Sequence, residues 1–144
     1  MMDIATQQDI EYLINHPGIY PSTGFPPGET AIIGTFFENP RNVAFTCMYG
    51  GMLFNQEEGD VFSGHFLFLP GTKGVDILTA AKGMLQEMFT KHGASVIRGY
   101  PPRENRAVRV IGNALGYHKI DNAIFTDDFG RDCETYEVKL SWLH

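Results

Sequence analysis

Charged residues, cysteine and long apolar runs are all scarce in this sequence of 144 residues. Charged side chains make up only 19% of it, and the formal net charge is -6, which argues against broad electrostatic binding to nucleic acid or anionic lipid. No apolar run approaches the roughly 20 residues that span a bilayer. The first ten residues lack the basic flank and apolar centre of a signal peptide. We therefore expect a soluble cytoplasmic protein with no membrane or nucleic-acid partner.

The two cysteines, Cys47 and Cys133, lie far apart, and no Cys-x-x-Cys pair or Cys/His cluster surrounds either of them. Zinc sites need several such ligands at short spacing, so we expect no metal site. Free thiols in a reducing compartment are the simpler interpretation.

The composition is that of a globular protein. Hydrophobic residues make up 43% of the chain and aromatic residues 12%, which is too apolar for a disordered segment. A chain of this length fits one domain with its own core, so we expect a single domain over residues 1–144. Sixteen glycines and eight prolines indicate many tight turns.

Hydrophobic periodicity predicts a helix, three strands, a helix, a strand, a helix and two strands. The first helix starts after Thr6, a suitable N-cap, and the long helix is capped by Asp76. In the last helix, Ala107, Val110, Ile111 and Ala114 are expected to face inward. The predicted segments are residues 6–15, 31–37, 43–54, 61–69, 76–91, 95–99, 104–115, 117–125 and 135–142.

This order predicts a mixed α+β fold with a mostly antiparallel sheet. The strands before and after the long helix should run parallel, because a helical crossover joins them. The chain then contains one strand–helix–strand unit inside an otherwise antiparallel sheet.

Three stretches of the sequence carry a resemblance to one family: LFLPGTKGVDI, the predicted helix 76–91 leading into the strand 95–99, and the segment from Asn105 to Tyr117. They resemble the Gcn5-related N-acetyltransferase (GNAT) family. In LFLPGTKGVDI, Pro70, Lys73, Gly74 and Ile77 match the strand-end signature V-x-P-x-x-R-G-x-G-I. The segment from Asn105 to Tyr117 is similar to the family's N-x-x-A-x-x-x-Y-x-x-x-G-F. The resemblance implies a three-layer GNAT-like fold whose two parallel strands splay apart.

The resemblance also implies acetyl-CoA as cosubstrate. In the family, backbone amides at the start of the long helix hold the pyrophosphate, and the helix dipole favours anions there. Asp76 stands where the family has its second glycine, so this turn is either a plain helix cap or a divergent CoA-binding turn. The residues carried over to cofactor binding are Leu67, Leu69, Lys73, Gly74, Val75, Asp76, Asn105 and Arg106.

The family's catalytic tyrosine falls on Gly112 in this sequence, so another proton donor is needed. Tyr100, Tyr117 and Tyr49 are the possible substitutes, and Tyr117 is our candidate among them, with core packing or an interface aromatic as the alternative for each. His65 is the candidate base because its pKa lies near working pH, and a structural histidine is the alternative. Arg103, Arg106 and Arg109 share one helix face and would meet the 3′-phosphate of CoA, an acidic partner or solvent.

The resemblance implies an N-acyltransferase that acetylates an amine on a small molecule or a protein. The chain also resembles the small, divergent GNAT-like proteins of tailed bacteriophages. The alternative function is therefore a catalytically inactive module of virion or head assembly, with a phage or host protein partner, in the host cytoplasm or the virion. The last strand is long and aromatic, and as an edge strand it could pair with a second copy of the chain, so a homodimer is a further alternative.

Overall fold

The computed structural model describes residues 2–144. It contains one seven-stranded sheet in the order β1-β2-β3-β4-β5-β7-β6. The strands are β1 Asp3–Ile4, β2 Val43–Cys47, β3 Gly50–Glu58, β4 Val61–Phe68, β5 Val96–Gly99, β6 His118–Thr126 and β7 Asp132–Val138. The helices are α1 Gln7–Ile14, α2 Tyr20–Thr23, α3 Gly74–Lys91 and α4 Arg106–Leu115. The predicted mixed fold is confirmed.

The chain buries both faces of its sheet. Alternate residues of a strand point to opposite faces, and in β2 Phe45 belongs to one apolar cluster while Ala44 belongs to the other. The first cluster packs β2, β3 and β4 against α3 through Met84, Leu85 and Met88. The second packs the opposite face against α1. Within residues 2–144, no helix combines the length and apolar character needed to cross a membrane.

The crossover through α3 makes β4 and β5 parallel, as predicted. They pair only at Val61–Ser63 with Val96–Arg98, and β5 then pairs with β7 in the antiparallel sense. Beyond Ser63, the edge of β4 that faces β5 has no strand partner among the described residues. The sheet therefore opens along the carboxyl-terminal half of β4.

The predicted first strand, residues 31–37, is wrong. This segment contains a short 3-10 helix, Gly34–Glu38, and Ile33 and Phe36 both pack on the α1 cluster. Residues three apart share a face in a 3-10 helix, so this spacing buries both side chains without a strand. The edge position beside β2 is taken by β1 instead.

The predicted second strand, residues 43–54, is two strands. Cys47 pairs with Gly50, so Met48 and Tyr49 form a two-residue hairpin loop. Gly50 has φ +131°, and a Cβ there would lie 2.2 Å from the Leu67 carbonyl oxygen. Only glycine fits this corner.

The inward face of α4 also differs from the prediction. Gly112 and Leu115 are buried, whereas Val110 is 55% exposed and Ala107 and Ala114 are exposed. The apolar residues of α4 cover a broad face, with Arg106, Arg109 and Asn113 on the opposite side, and a one-residue shift turns the buried part of that face by about 100°. Contact with the sheet, rather than the apolar pattern alone, selects the face.

Candidate active site

A cavity of about 780 Å³ opens where β4 and β5 diverge. Four consecutive β4 residues, Gly64 to Leu67, line it. Because neighbouring strand residues point to opposite faces, all four reach one cavity only along the free edge of the strand. The opposite wall comes from Gly99 and Tyr100 at the end of β5 and from α4. The predicted splay thus forms the centre of the cavity.

Aromatic side chains form much of the cavity wall. They come from segments far apart in the sequence, and two pairs make edge contacts: Tyr100 with Phe125 at 5.5 Å and Phe25 with Phe129 at 5.4 Å between ring centroids. The aromatic residues that line the cavity are Phe25, Phe36, Phe66, Tyr100, Tyr117, Phe125, Phe129 and Tyr136. Such a wall suits a ligand with apolar or aromatic parts.

His65, the predicted base, lines the cavity on β4 and is exposed to it. Although part of the side chain is open to the cavity, the protein atoms packed around the imidazole desolvate it and lower the pKa of His65, and the negative charge of Glu57 works in the opposite direction. A lowered pKa keeps the imidazole neutral near pH 7, the form that accepts a proton. No described residue hydrogen-bonds its side chain, unlike a structural histidine.

Tyr117, the predicted proton donor, also lines the cavity. Its ring lies against α4, where a Cβ added to Gly112 would be 3.8 Å from the ring. Gly112 is the position of the family's tyrosine in the motif resemblance, so Tyr117 occupies space beside that position. Burial raises the pKa of Tyr117, which keeps the phenol protonated at neutral pH.

The turn between β4 and α3 lies outside the cavity wall, at the end of β4 where this strand has diverged from β5. Gly71 has φ +83°, and a Cβ on Gly71 or Gly74 would meet no atom within 4 Å. The amides at the start of α3 therefore border open space. This geometry fits a phosphate group, which needs close access to backbone N–H groups.

Asp76 is not the cap of α3, contrary to our prediction. The helix begins at Gly74, its N-cap is Lys73, and no side chain caps it. Asp76 lies in the first turn, where a negative charge is favourable to the helix, and its carboxylate makes no hydrogen bond with a described residue. The amides of the turn are thus left unblocked by Asp76.

The other predicted cofactor residues divide between cavity and surface. Leu67 and Asn105 line the cavity, and the Asn105 side chain caps α4 by accepting a hydrogen bond from the Val108 amide at 3.3 Å. Leu69, Lys73 and Val75 belong to the turn and first residues of α3, outside the wall. Arg106 is exposed, also outside the wall. Arg103, Arg106 and Arg109 were predicted to share one helix face, and of these three residues Arg109 lines the cavity.

A polar network that the sequence analysis missed lies beside His65. Tyr100 donates a hydrogen bond to Glu57, and Arg98 binds Glu57 at 3.0 Å and Glu137 at 2.8 Å. Burial, followed by the bond to Glu57, raises the pKa of Tyr100 to about 12. The register of β3 against β4 shifts between Gln56 and Glu58. Nothing in the local sequence marks this shift, which is why Glu57 went unnoticed.

The loop between β6 and β7 closes one side of the cavity. Arg131 binds Asp127 at 2.8 Å and donates hydrogen bonds to the carbonyls of Ser22 at 2.8 Å and Thr23 at 3.2 Å. These bonds tie the hairpin loop to α2 and place Phe129 against Phe25. Within the described part of the chain, no three His, Cys, Asp or Glu side chains are grouped as a metal site would require.

Several solved structures share this architecture at low sequence identity. The spermidine N-acetyltransferase from Vibrio cholerae, in complex with CoA and spermine, superposes with a TM-score of 0.74 at 11% identity over 99% of this chain and 96% of that one. A putative acetyltransferase from Salmonella typhimurium, yncA, with its cofactor acetyl-CoA, gives 0.73 at 13% identity, covering 97% and 93% of the two chains. The chain has the GNAT fold.

A third solved structure extends this likeness. The ribosomal-protein-alanine N-acetyltransferase from Brucella melitensis gives a TM-score of 0.69 at 12% identity over 97% of this chain and 99% of that one. No protein-family model matches the sequence, and no curated protein is significantly similar to it. The GNAT likeness therefore rests on backbone architecture rather than on sequence.

Proposed function

We propose that the chain is an acyl-CoA-dependent N-acyltransferase that transfers an acetyl group from acetyl-CoA to an amine. The observation that carries this proposal is the cavity along the free edge of β4, whose wall reaches Leu67, a few residues before the open amides of the β4–α3 turn. A long ligand with an amide-bearing arm and a charged phosphate end suits both features, because a strand edge offers backbone hydrogen bonds and a helix start favours anions.

The residues present fit this cosubstrate. Gly71 and Gly74 leave room at the turn for a pyrophosphate, Lys73 adds a positive charge there, and Leu67 and Asn105 lie along the wall beside the expected arm. Arg106 is exposed at the start of α4, where it is available to an outer phosphate. When bound, acetyl-CoA supplies an acyl group already activated as a thioester.

The chain's own residues then have distinct tasks. The cavity wall orients the amine, and neutral His65 accepts the proton that the amine nitrogen loses as the new C–N bond forms. Tyr117 Oη gives its proton to the sulfur as the C–S bond breaks. His65 and Tyr117 end with one proton gained and one lost, so solvent exchange resets both.

The alternative is a non-catalytic interaction module, and the loss of the helix tyrosine at Gly112 favours it. Tyr117 beside Gly112 favours the enzyme, because a protonated phenol remains within the same cavity. The phage relationship, the virion role, a homodimer and a protein partner stay predictions of the sequence resemblance.

Isothermal titration with acetyl-CoA tests the proposal. The wild type should bind it, and Gly74→Glu should abolish binding without loss of folding, because a carboxylate at the helix start is favourable to the helix but fills the phosphate space. Asp76→Gly should lower the Kd several-fold, since it removes a charge worth about 1 kcal/mol of repulsion near the turn.

The matched control is Asp121→Asn, which removes a carboxylate from exposed β6 and should leave the Kd unchanged. Absence of binding heat for both the wild type and Asp76→Gly would overturn the proposal. Binding without consumption of acetyl-CoA across a panel of amines would instead favour the interaction module.

A further inference from the structure

Arg109 is the cavity cation with unsatisfied hydrogen-bonding capacity. Its side chain lines the cavity and is 31% exposed, while its Nε is buried and has no hydrogen-bond partner among the described residues. Its Nη1 lies 3.8 Å from Glu134 Oε1, which is too long for a hydrogen bond. Buried donors are normally paired, so this guanidinium is short of an acceptor.

The single negative charge of Glu134 does not neutralise both of the cations beside it, Arg109 and Lys119. The carboxylate is 5% exposed and accepts a bond from Lys119 Nζ at 2.8 Å. That bond lowers the pKa of Glu134, with a smaller contribution from Arg109, so the group is ionised. Tyr136 adds a hydroxyl donor to the same carboxylate. One negative charge is therefore shared between two cations, of which Arg109 lines the cavity.

The other charged side chains of the cavity wall do not pair with Arg109. Asp127 lines the cavity, but Arg131 and the backbone amides around it bind its carboxylate. These bonds outweigh burial and lower the pKa of Asp127. Arg131 itself is satisfied by Asp127 and the two α2 carbonyls. Asp128 is the remaining acid in the wall, so the wall carries no net charge, and Asp128 forms no ion pair with Arg109 among the described residues.

We propose that the acyl acceptor is an amine that also carries a carboxylate, and that Arg109 binds this carboxylate. The inference rests on the proposed N-acyltransferase function and names its substrate class. A guanidinium presents a planar fork of donors that matches a carboxylate, and the aromatic wall suits an apolar or aromatic body. A polyamine would place positive charge beside Arg109, so we expect it to bind less tightly than an amine that carries a carboxylate.

The same donors would also suit a phosphate of acetyl-CoA, and the experiment separates the two sources. L-phenylalanine and phenethylamine differ only in the carboxylate, and spermidine represents the polyamines. Titration calorimetry measures the Kd of each amine with the free protein and with the protein saturated with CoA, for the wild type, Arg109→Gln and the control Lys82→Gln on α3.

We expect the wild type to bind phenylalanine at least about tenfold more tightly than phenethylamine, because a hydrogen bond to a charged group contributes at least the roughly 1.4 kcal/mol to which a tenfold difference corresponds. Arg109→Gln should remove this preference and leave the Kd of acetyl-CoA within about twofold of the wild type. Lys82→Gln should behave as the wild type. The wild-type comparison requires no variant, so it stands even if Arg109→Gln does not fold.

Equal affinity for the two amines, a preference for spermidine, or binding of none of them at millimolar concentration would overturn the proposal. A tenfold loss of acetyl-CoA affinity in Arg109→Gln with the amine preference intact would assign Arg109 to the phosphate. If acetyl-CoA fails to bind the wild type but phenylalanine is preferred over phenethylamine, the carboxylate site is supported while the proposed function fails.

Discussion

At the scale of single residues, the most informative side chain is His65, because its protonation is coupled to its place in the cavity wall. Burial lowers its pKa below the ordinary 6.5, so the imidazole is neutral at pH 7 and becomes charged only as the pH falls. A base in this state is active above its pKa. We therefore expect kcat/KM to be full near neutrality and to fall as the pH drops through the lowered pKa.

The variant His65→Gln keeps a polar side chain but cannot take up the proton. We expect its kcat/KM to be lower by about 100-fold or more, and its rate to lose the acidic limb of the wild-type pH profile. His118, exposed and stacked on Trp142 at 4.1 Å, provides the control His118→Gln with an unchanged profile. An acidic limb that persists in His65→Gln would assign the titrating group to another residue.

At the scale of elements, α4 and its C-cap each contain a glycine, and the two glycines have opposite requirements. Gly112 lies inside the helix, and an added Cβ would make ordinary contact with Tyr117 at 3.8 Å. Gly116 ends the helix with φ +103°, and its Cβ would lie 2.0 Å from the Trp142 carbonyl oxygen. Gly112→Ala should therefore raise the free energy of unfolding by about 0.5–1 kcal/mol, and Gly116→Ala should lower it by more than about 1 kcal/mol.

Urea unfolding followed by circular dichroism measures both variants against the wild type. The two substitutions add the same methyl group four residues apart, so each is the control for the other. A loss of stability in Gly112→Ala would mean that the space beside Tyr117 is smaller than described.

Elements with a local signal were predictable from the sequence, and elements selected by tertiary contact were not. Thr6 forms a capping box with Asp9, which needs only the residues of one turn. In contrast, residues 31–37 carry an apolar run that suits a strand, yet burial on α1 selects a 3-10 helix. The cavity could not be predicted for a similar reason. Phe25 and Phe129 are far apart in the sequence, and they meet where Arg131 of the β6–β7 loop binds carbonyls of α2. His65, Tyr117 and Leu67, which line the cavity, could be named from the sequence because they lie in or beside the family-like motifs.

At the scale of the whole molecule, the sheet consists of two parts joined by a short seam. Strands β1 to β4 form one part and β5 to β7 the other, and the seam is the three-residue parallel pairing at Val61–Ser63. Beyond Ser63 the free edge of β4 faces the cavity, so half of its amides lack a strand partner there. A ligand arm along this edge would bridge the two parts.

Hydrogen exchange with and without acetyl-CoA tests this arrangement. We expect the cosubstrate to slow exchange in residues 64–68 and at the start of α3, because ligand hydrogen bonds and the phosphate contacts protect those amides. The β6 strand lies at the far edge of the sheet and should be unaffected, which makes it an internal control. Gly74→Glu should lose the protection in both segments. Protection confined to β6, or spread evenly over all strands, would place the ligand somewhere other than the opening between the two parts.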